Sequence, residues 1–178
     1  MNNVKRYSII SMMLAIAIVV GYLESFIPLF IPGFKLGLAN VIIMIMLYEF
    51  KWYEALIVDI LRILILSLIF GTLFNPVFFM SLVGGLLSYF VMLVFSRFKF
   101  FSIIGVSILG AISHSFGQIV VAMIILKLLQ VIYYLPFVAI LSLGSGILSG
   151  IIAKTYLKRS ITNNFINNDK ENNDNAQI

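Results

Sequence analysis

Cysteine is absent from the 178-residue chain. That excludes a disulfide framework and any thiolate-held metal. A single histidine excludes a histidine-rich metal centre as well. Charge is scarce: Asp, Glu, Lys and Arg make up 11% of residues, against about 25% in soluble domains. A phosphate-cradling loop of the G-x-x-x-x-G-K type, a G-x-S-x-G elbow, an H-E-x-x-H pair and an acidic cluster for magnesium are all missing. The chain is therefore expected to be no enzyme, to use no cofactor or metal, and to draw no power of its own from nucleotide. Glu54 and Asp59 are too few and too separated to clamp a diphosphate through magnesium. Arginine ladders of the voltage-sensing kind are missing too.

Apolar sequence is present in abundance. Hydrophobic residues reach 62%, and the mean hydropathy is +1.11. An integral membrane protein of one domain follows. A spanning helix needs about 20 apolar residues. Six candidate runs are predicted at 7–27, 35–50, 52–71, 76–96, 100–126 and 134–157. The second is short, and the fifth is long enough to tilt. Pro28, Pro32 and Gly33 break the chain after the first run, and Gly71 and Pro76 after the third. Lys5-Arg6 ahead of an apolar run is also a feature of signal peptides, but the run continues to about Ile27, too long for one. It reads as a retained first helix.

The net charge of +5 does not form a nucleic-acid stripe, because the basic residues lie between the apolar runs. They instead set orientation. With the N-terminus inside, the inner ends carry Lys5, Arg6, Lys51, Arg97, Lys99, Lys154, Lys158 and Arg159, and the outer loops carry only Lys35 and Lys127. This bias predicts both termini in the cytoplasm of a cell bounded by this membrane. The expected domain is 1–161. The Asn-rich, charged stretch 162–178 reads as a disordered cytoplasmic tail.

Four ionisable residues, Glu24, Asp59, Arg62 and His114, fall within the apolar runs. A charge near the bilayer centre costs roughly 2.5–3.5 kcal/mol on insertion scales, so such residues face a bundle interior or a ligand. At 1.5 Å per residue, Asp59 falls roughly 10 Å and Arg62 roughly 15 Å along the third run. His114 and Gln118 fall roughly 21 and 27 Å along the fifth. Glu24 ends the first run, and Lys35 and Asn40 open the second, on the same side. Glu24, Lys35, Asn40, Arg62, His114 and Gln118 are thus predicted to converge on one polar, net-cationic, outward-facing pocket that binds a small solute. Asp59 lies lower and is expected to hold Arg62. Each residue also has a plainer role, as buried pair, interfacial anchor or interhelical bridge.

Small residues recur at helical spacing. Ser81, Gly84, Gly85 and Ser88 share one face, as do Gly110, Ser113, His114 and Gly117, and likewise Ser142, Ser145, Gly146, Ser149 and Gly150. Tight packing within the chain is the expected use of these. On the first helix, Ser11/Ala15 and Ala17/Gly21 offer small residues on both faces, so a partner-docking face is expected there.

The segment Pro32-Gly-Phe-Lys-Leu-Gly-Leu-Ala-Asn40, following Glu24-Ser-Phe-Ile-Pro28, resembles a bacterial membrane family labelled "heptaprenyl diphosphate synthase component I" or "Gx transporter". Glu54-Ala-Leu with Leu61-Arg62, the stretch 81–88, and 105–114 with Gly117-Gln118 carry the rest of the likeness, which covers about 8–158. Asp59 departs from the pattern, which has a small or polar residue there. The family is similar to the substrate-binding S components of energy-coupling-factor (ECF) transporters. The resemblance implies an all-α integral membrane protein with six transmembrane helices in an S-component-like bundle. It implies a multi-pass subunit of the bacterial plasma membrane whose first-helix face meets a transmembrane coupling protein carrying two ATPases. The family label implies an alternative, an accessory membrane subunit in polyprenyl diphosphate synthesis. A membrane scaffold in a quinone- or flavin-linked electron-transfer system is a third reading. No flavin-binding residues are recognisable, and nothing in the sequence names the solute.

Overall fold

The computed structural model describes residues 3–27, 35–98 and 100–175, with side chains from Val4 through Ser160. All regular elements among these residues are helical: α1 (Asn3–Glu24), α2 (Asn40–Glu49), α3 (Trp52–Ile69), α4 (Pro76–Phe95), α5 (Ile103–Leu126), a short 3-10 helix (Leu129–Tyr134) and α6 (Leu135–Asn175). The expected break at 28–33, and Lys99, lie outside the described residues.

Local chemistry sets the helix ends. Pro76 begins α4, where its missing N–H costs nothing. The Ser102 hydroxyl accepts from the Gly105 amide at 3.1 Å and caps α5. At the other end of α5, Lys127 takes the left-handed conformation. After α3, Gly71 adopts φ +63°, with Thr72 N–H donating to Ser67 O and Gly71 N–H to Leu68 O. That is a Schellman ending, and it satisfies carbonyls the helix leaves open.

Four helical stretches are long and apolar enough to cross a membrane: Val4–Glu24, Pro76–Phe95, Ile103–Leu126 and Leu129–Ser160. Large apolar side chains such as Val19, Phe90, Ile124 and Ile140 are exposed on them, as expected of surfaces solvated by lipid. The chain is a multi-pass helical membrane bundle. The other two expected runs differ from these four. α3 matches the apolar run in position but carries Glu54, Asp59 and Arg62, all buried. α2 has 10 residues, about 15 Å of helix, half of a hydrocarbon core about 30 Å thick. Its predicted start at Lys35 gives way to an irregular stretch and a turn, because Gly37 sits at φ +81°. At the far end, α6 runs through position 161, where the sequence placed the end of the membrane domain.

α2 is the hub. Asn40–Met46 are all buried, and α2 touches every one of the other five α-helices. A helix apolar all round belongs in an interior. Around it, α1 packs on α3, α3 on α4, α4 on α5 and α5 on α6. Among the described residues α1 and α6 do not touch each other, so the ring stays open between them.

The small-residue stripes of α4, α5 and α6 serve close packing, as expected. A Cβ on Gly117 would fall 3.0 Å from Gly84 Cα. One on Gly146 would fall 2.8 Å from Ile108 Cα, and one on Gly150 2.8 Å from Ile104 Cα. Helix backbones meet almost directly at these points.

Candidate functional site

Glu24, at the last turn of α1, turns inward and is buried. Its carboxylate accepts from the Gly37 amide and, at 3.4 Å, from the Ala39 amide. These N–H groups stand at the start of α2, where helix amides lack intrahelical partners and the helix dipole favours an anion. Glu24 therefore fastens α1 to the head of the central helix. The left-handed Gly37 makes the geometry possible: a Cβ there would meet Asn40 Nδ2 at 3.0 Å and His114 Cδ2 at 3.4 Å.

Asn40, the first residue of α2, links two further helices. Its Oδ1 accepts from an Arg62 terminal nitrogen at 3.1 Å, and its Nδ2 donates to Ser88 Oγ at 3.0 Å. Arg62 also pairs with Asp59 one turn earlier on α3, the partnership predicted from the i, i+3 spacing. Both members are buried, Asp59 at 1% exposure and Arg62 at 4%.

On α5, the fully buried Gln118 accepts from the Lys35 backbone amide at 3.2 Å through Oε1. Its Nε2 therefore faces His114 as the donor, at 3.0 Å from His114 Nε2. His114 Nε2 must accept, which leaves the ring proton on Nδ1. Arg62 Nε, His114 Nδ1 and Asp59 Oδ2 are buried without a hydrogen-bond partner among the described residues. Unmet buried polar atoms are costly and point to a missing partner.

Glu24, Lys35, Asn40, Arg62 and His114 line a single cavity, together with Gly21, Gly37, Ala39, Ile63, Leu66 and Ser81. The predicted convergence is thus present for five of the six expected solute contacts. Gln118 lies behind the wall and holds His114. Sequence reasoning missed Gly37 as a wall residue and Ser88 as the support of Asn40. It noted Ser81 and Ser88 only as packing residues, although their stripe faces α3 and α5 across the site. The pocket was expected to be net-cationic, but Asp59 stands directly on Arg62, so the two buried carboxylates offset Arg62 and Lys35. The cavity is also small, about 20 Å³, room for about one water. Among the described residues no group of His, Asp and Glu is arranged to hold a metal.

The expected docking residues on α1 divide between two faces. Ser11 and Ala15 are exposed, whereas Ala17 and Gly21 are buried within the bundle. A Cβ on Gly21 would fall 2.6 Å from Leu66 Cδ1. The docking expected of Ala17 and Gly21 does not agree with their burial, because both pack on the bundle's own core, whereas Ser11 and Ala15 lie on an exposed face. The structure also adds a tie the sequence reading lacked. Arg6 grips Glu54 with two hydrogen bonds, 2.9 and 2.8 Å, while Glu54 accepts from the Lys51 amide at 3.0 Å. This fork joins the beginnings of α1 and α3.

Fold and site together define a multi-pass helical membrane protein with a buried polar network at the head of its central helix. The family described as heptaprenyl diphosphate synthase component I matches residues 13–156, and the chain belongs to it. No curated protein and no solved structure matches the chain.

Proposed function

We propose that this chain is a solute-binding membrane subunit of the ECF S-component kind, placed in the bacterial plasma membrane with both termini in the cytoplasm. It takes a small polar or anionic solute from the outer side and relies on a coupling protein with two ATPase subunits for power. One observation carries this reading: five polar residues from four parts of the chain, Glu24, Lys35, Asn40, Arg62 and His114, line one cavity in which Arg62 Nε lacks a partner. Arginine is suited to forked recognition of carboxylate or phosphate. The small cavity describes a closed form. Binding anything larger than water requires the walls to part, and the α1–α2 tie through Glu24 is the contact whose release would open them. The role is one of binding, not catalysis.

A second reading has its own support. The family description fits an accessory membrane subunit in heptaprenyl diphosphate synthesis better than it fits transport. In that case the chain would hold a prenyl synthase at the membrane. Affinity purification in mild detergent separates the two. Recovery of a coupling protein and a retained solute supports transport, while recovery of a prenyl synthase without a coupling protein supports the second reading.

A further inference from the structure

At the opposite end of the bundle from the Arg62 cavity lies a larger opening of about 720 Å³. Its walls come from the beginning of α1 (Lys5, Arg6, Ile9), the end of α2 (Tyr48, Glu49, Phe50), the start of α5 (Ile103) and α6 (Tyr156, Leu157, Ser160). It therefore stands where the ring is open between α1 and α6, with α2, which touches both, as its floor. The volume is within the usual range for a small-molecule site.

The chemistry of the walls is divided. Lys5, Arg6, Tyr48, Tyr156 and Ser160 supply a cation, a guanidinium and three hydroxyls, while Ile9, Phe50, Ile103 and Leu157 supply an apolar wall. Arg6 is already held by Glu54, and Glu49 faces the Tyr156 phenol. Lys5, exposed and without an ion-pair partner among the described residues, is the cation left for a ligand. The apolar span of α1 begins at Val4, so Lys5 and Arg6 stand at the level of the lipid headgroups. A ligand that fits carries a phosphate at that level and a hydrocarbon chain that leaves through the α1–α6 gap into the bilayer.

We infer that this opening is a binding site for an anionic phospholipid, with the phosphate at Lys5 and Ser160 and the first acyl segment against Ile103 and Leu157. It is independent of the proposed solute site and of either functional reading, since it shares no residue with the Arg62 cavity.

The test is native mass spectrometry of the full chain in detergent, titrated with phosphatidylglycerol or phosphatidylcholine. The expected result is at least tenfold tighter retention of one phosphatidylglycerol. That preference should be lost in Lys5→Glu and retention abolished in Ile103→Trp, which fills the opening without altering charge. Arg97→Glu, at the same end but outside this opening, should behave as wild type. Circular dichroism and gel filtration confirm folding, and the two independent variants keep the test decisive if one does not fold. Equal retention of both lipids, or an unchanged preference in folded Lys5→Glu and Ile103→Trp proteins, overturns the inference. Displacement of the lipid by millimolar inorganic phosphate alone would mark a free-phosphate site and also overturns it.

Discussion

Arg62 connects three helices through one guanidinium: it pairs with Asp59 on its own helix and holds Asn40 of α2, which in turn holds Ser88 of α4. Removing one member of a buried pair leaves the other charge uncompensated, at a cost of roughly 3–5 kcal/mol. Asp59→Leu alone should therefore destabilise the protein by about that much. Adding Arg62→Met to it should recover part of the loss, because neither charge then remains. Thermal unfolding in detergent of both single variants and the double checks this, and strict additivity would count against the pair. Gly37 is a second critical position. Its φ of +81° costs an L residue about 1–2 kcal/mol, and a Cβ there would crowd Asn40 Nδ2 at 3.0 Å. Gly37→Ala should lower the melting temperature more than Gly71→Ala, which has a similar φ but nothing within 4 Å of the new Cβ. At this scale the sequence revealed the costly residues and the Asp59–Arg62 pairing. It did not reveal the Glu24–Gly37 contact, because which amides a carboxylate meets depends on the path of the backbone and not on hydropathy.

Among the elements, α4 and α5 meet backbone to backbone where Gly84 and Gly117 cross. A Cβ at Gly84 would stand 2.8 Å from the His114 carbonyl oxygen, a backbone atom that can yield only if the helices separate. Gly84→Ala and Gly117→Ala should each destabilise by about 1–3 kcal/mol, the usual cost of overpacking. Gly144→Ala, on α6 with nothing within 4 Å of its Cβ, should instead stabilise by about 0.5–1 kcal/mol by raising helix propensity. Melting curves of the three variants check the contrast. The stripes were legible in the sequence because spacing alone places small residues on one face. The shortness of α2 was not legible. Its apolar run continues upstream to Leu36, and hydropathy does not register that Gly37 turns the chain. Nor does spacing alone tell which face of α1 is buried when both carry small residues.

For the whole molecule, the exposed and buried faces of α1 make opposite forecasts. Ala15 is exposed and Ala17 is fully buried. Ala15→Leu should leave folding intact and lower recovery of a coupling protein. Ala17→Leu should impair folding whether or not a partner exists. Gel filtration and quantified copurification separate the effects, and full partner recovery with Ala15→Leu would remove this face from docking. The convergence of Glu24, Lys35, Asn40, Arg62 and His114 on one cavity was legible from the order of the runs, because successive helices alternate in direction. The size and charge balance of that cavity were not, since they depend on side-chain directions that only the folded core decides. The role proposed for this cavity is to bind a solute. Mass spectrometry of small molecules retained by the purified full chain tests it most directly, alongside Arg62→Lys, which keeps the charge facing Asp59 but loses the fork and Nε–H. The expected result is one polar or anionic solute recovered with wild type and reduced at least tenfold in the folded variant. Recovery of no solute from the wild type, or equal recovery from both proteins, would contradict it.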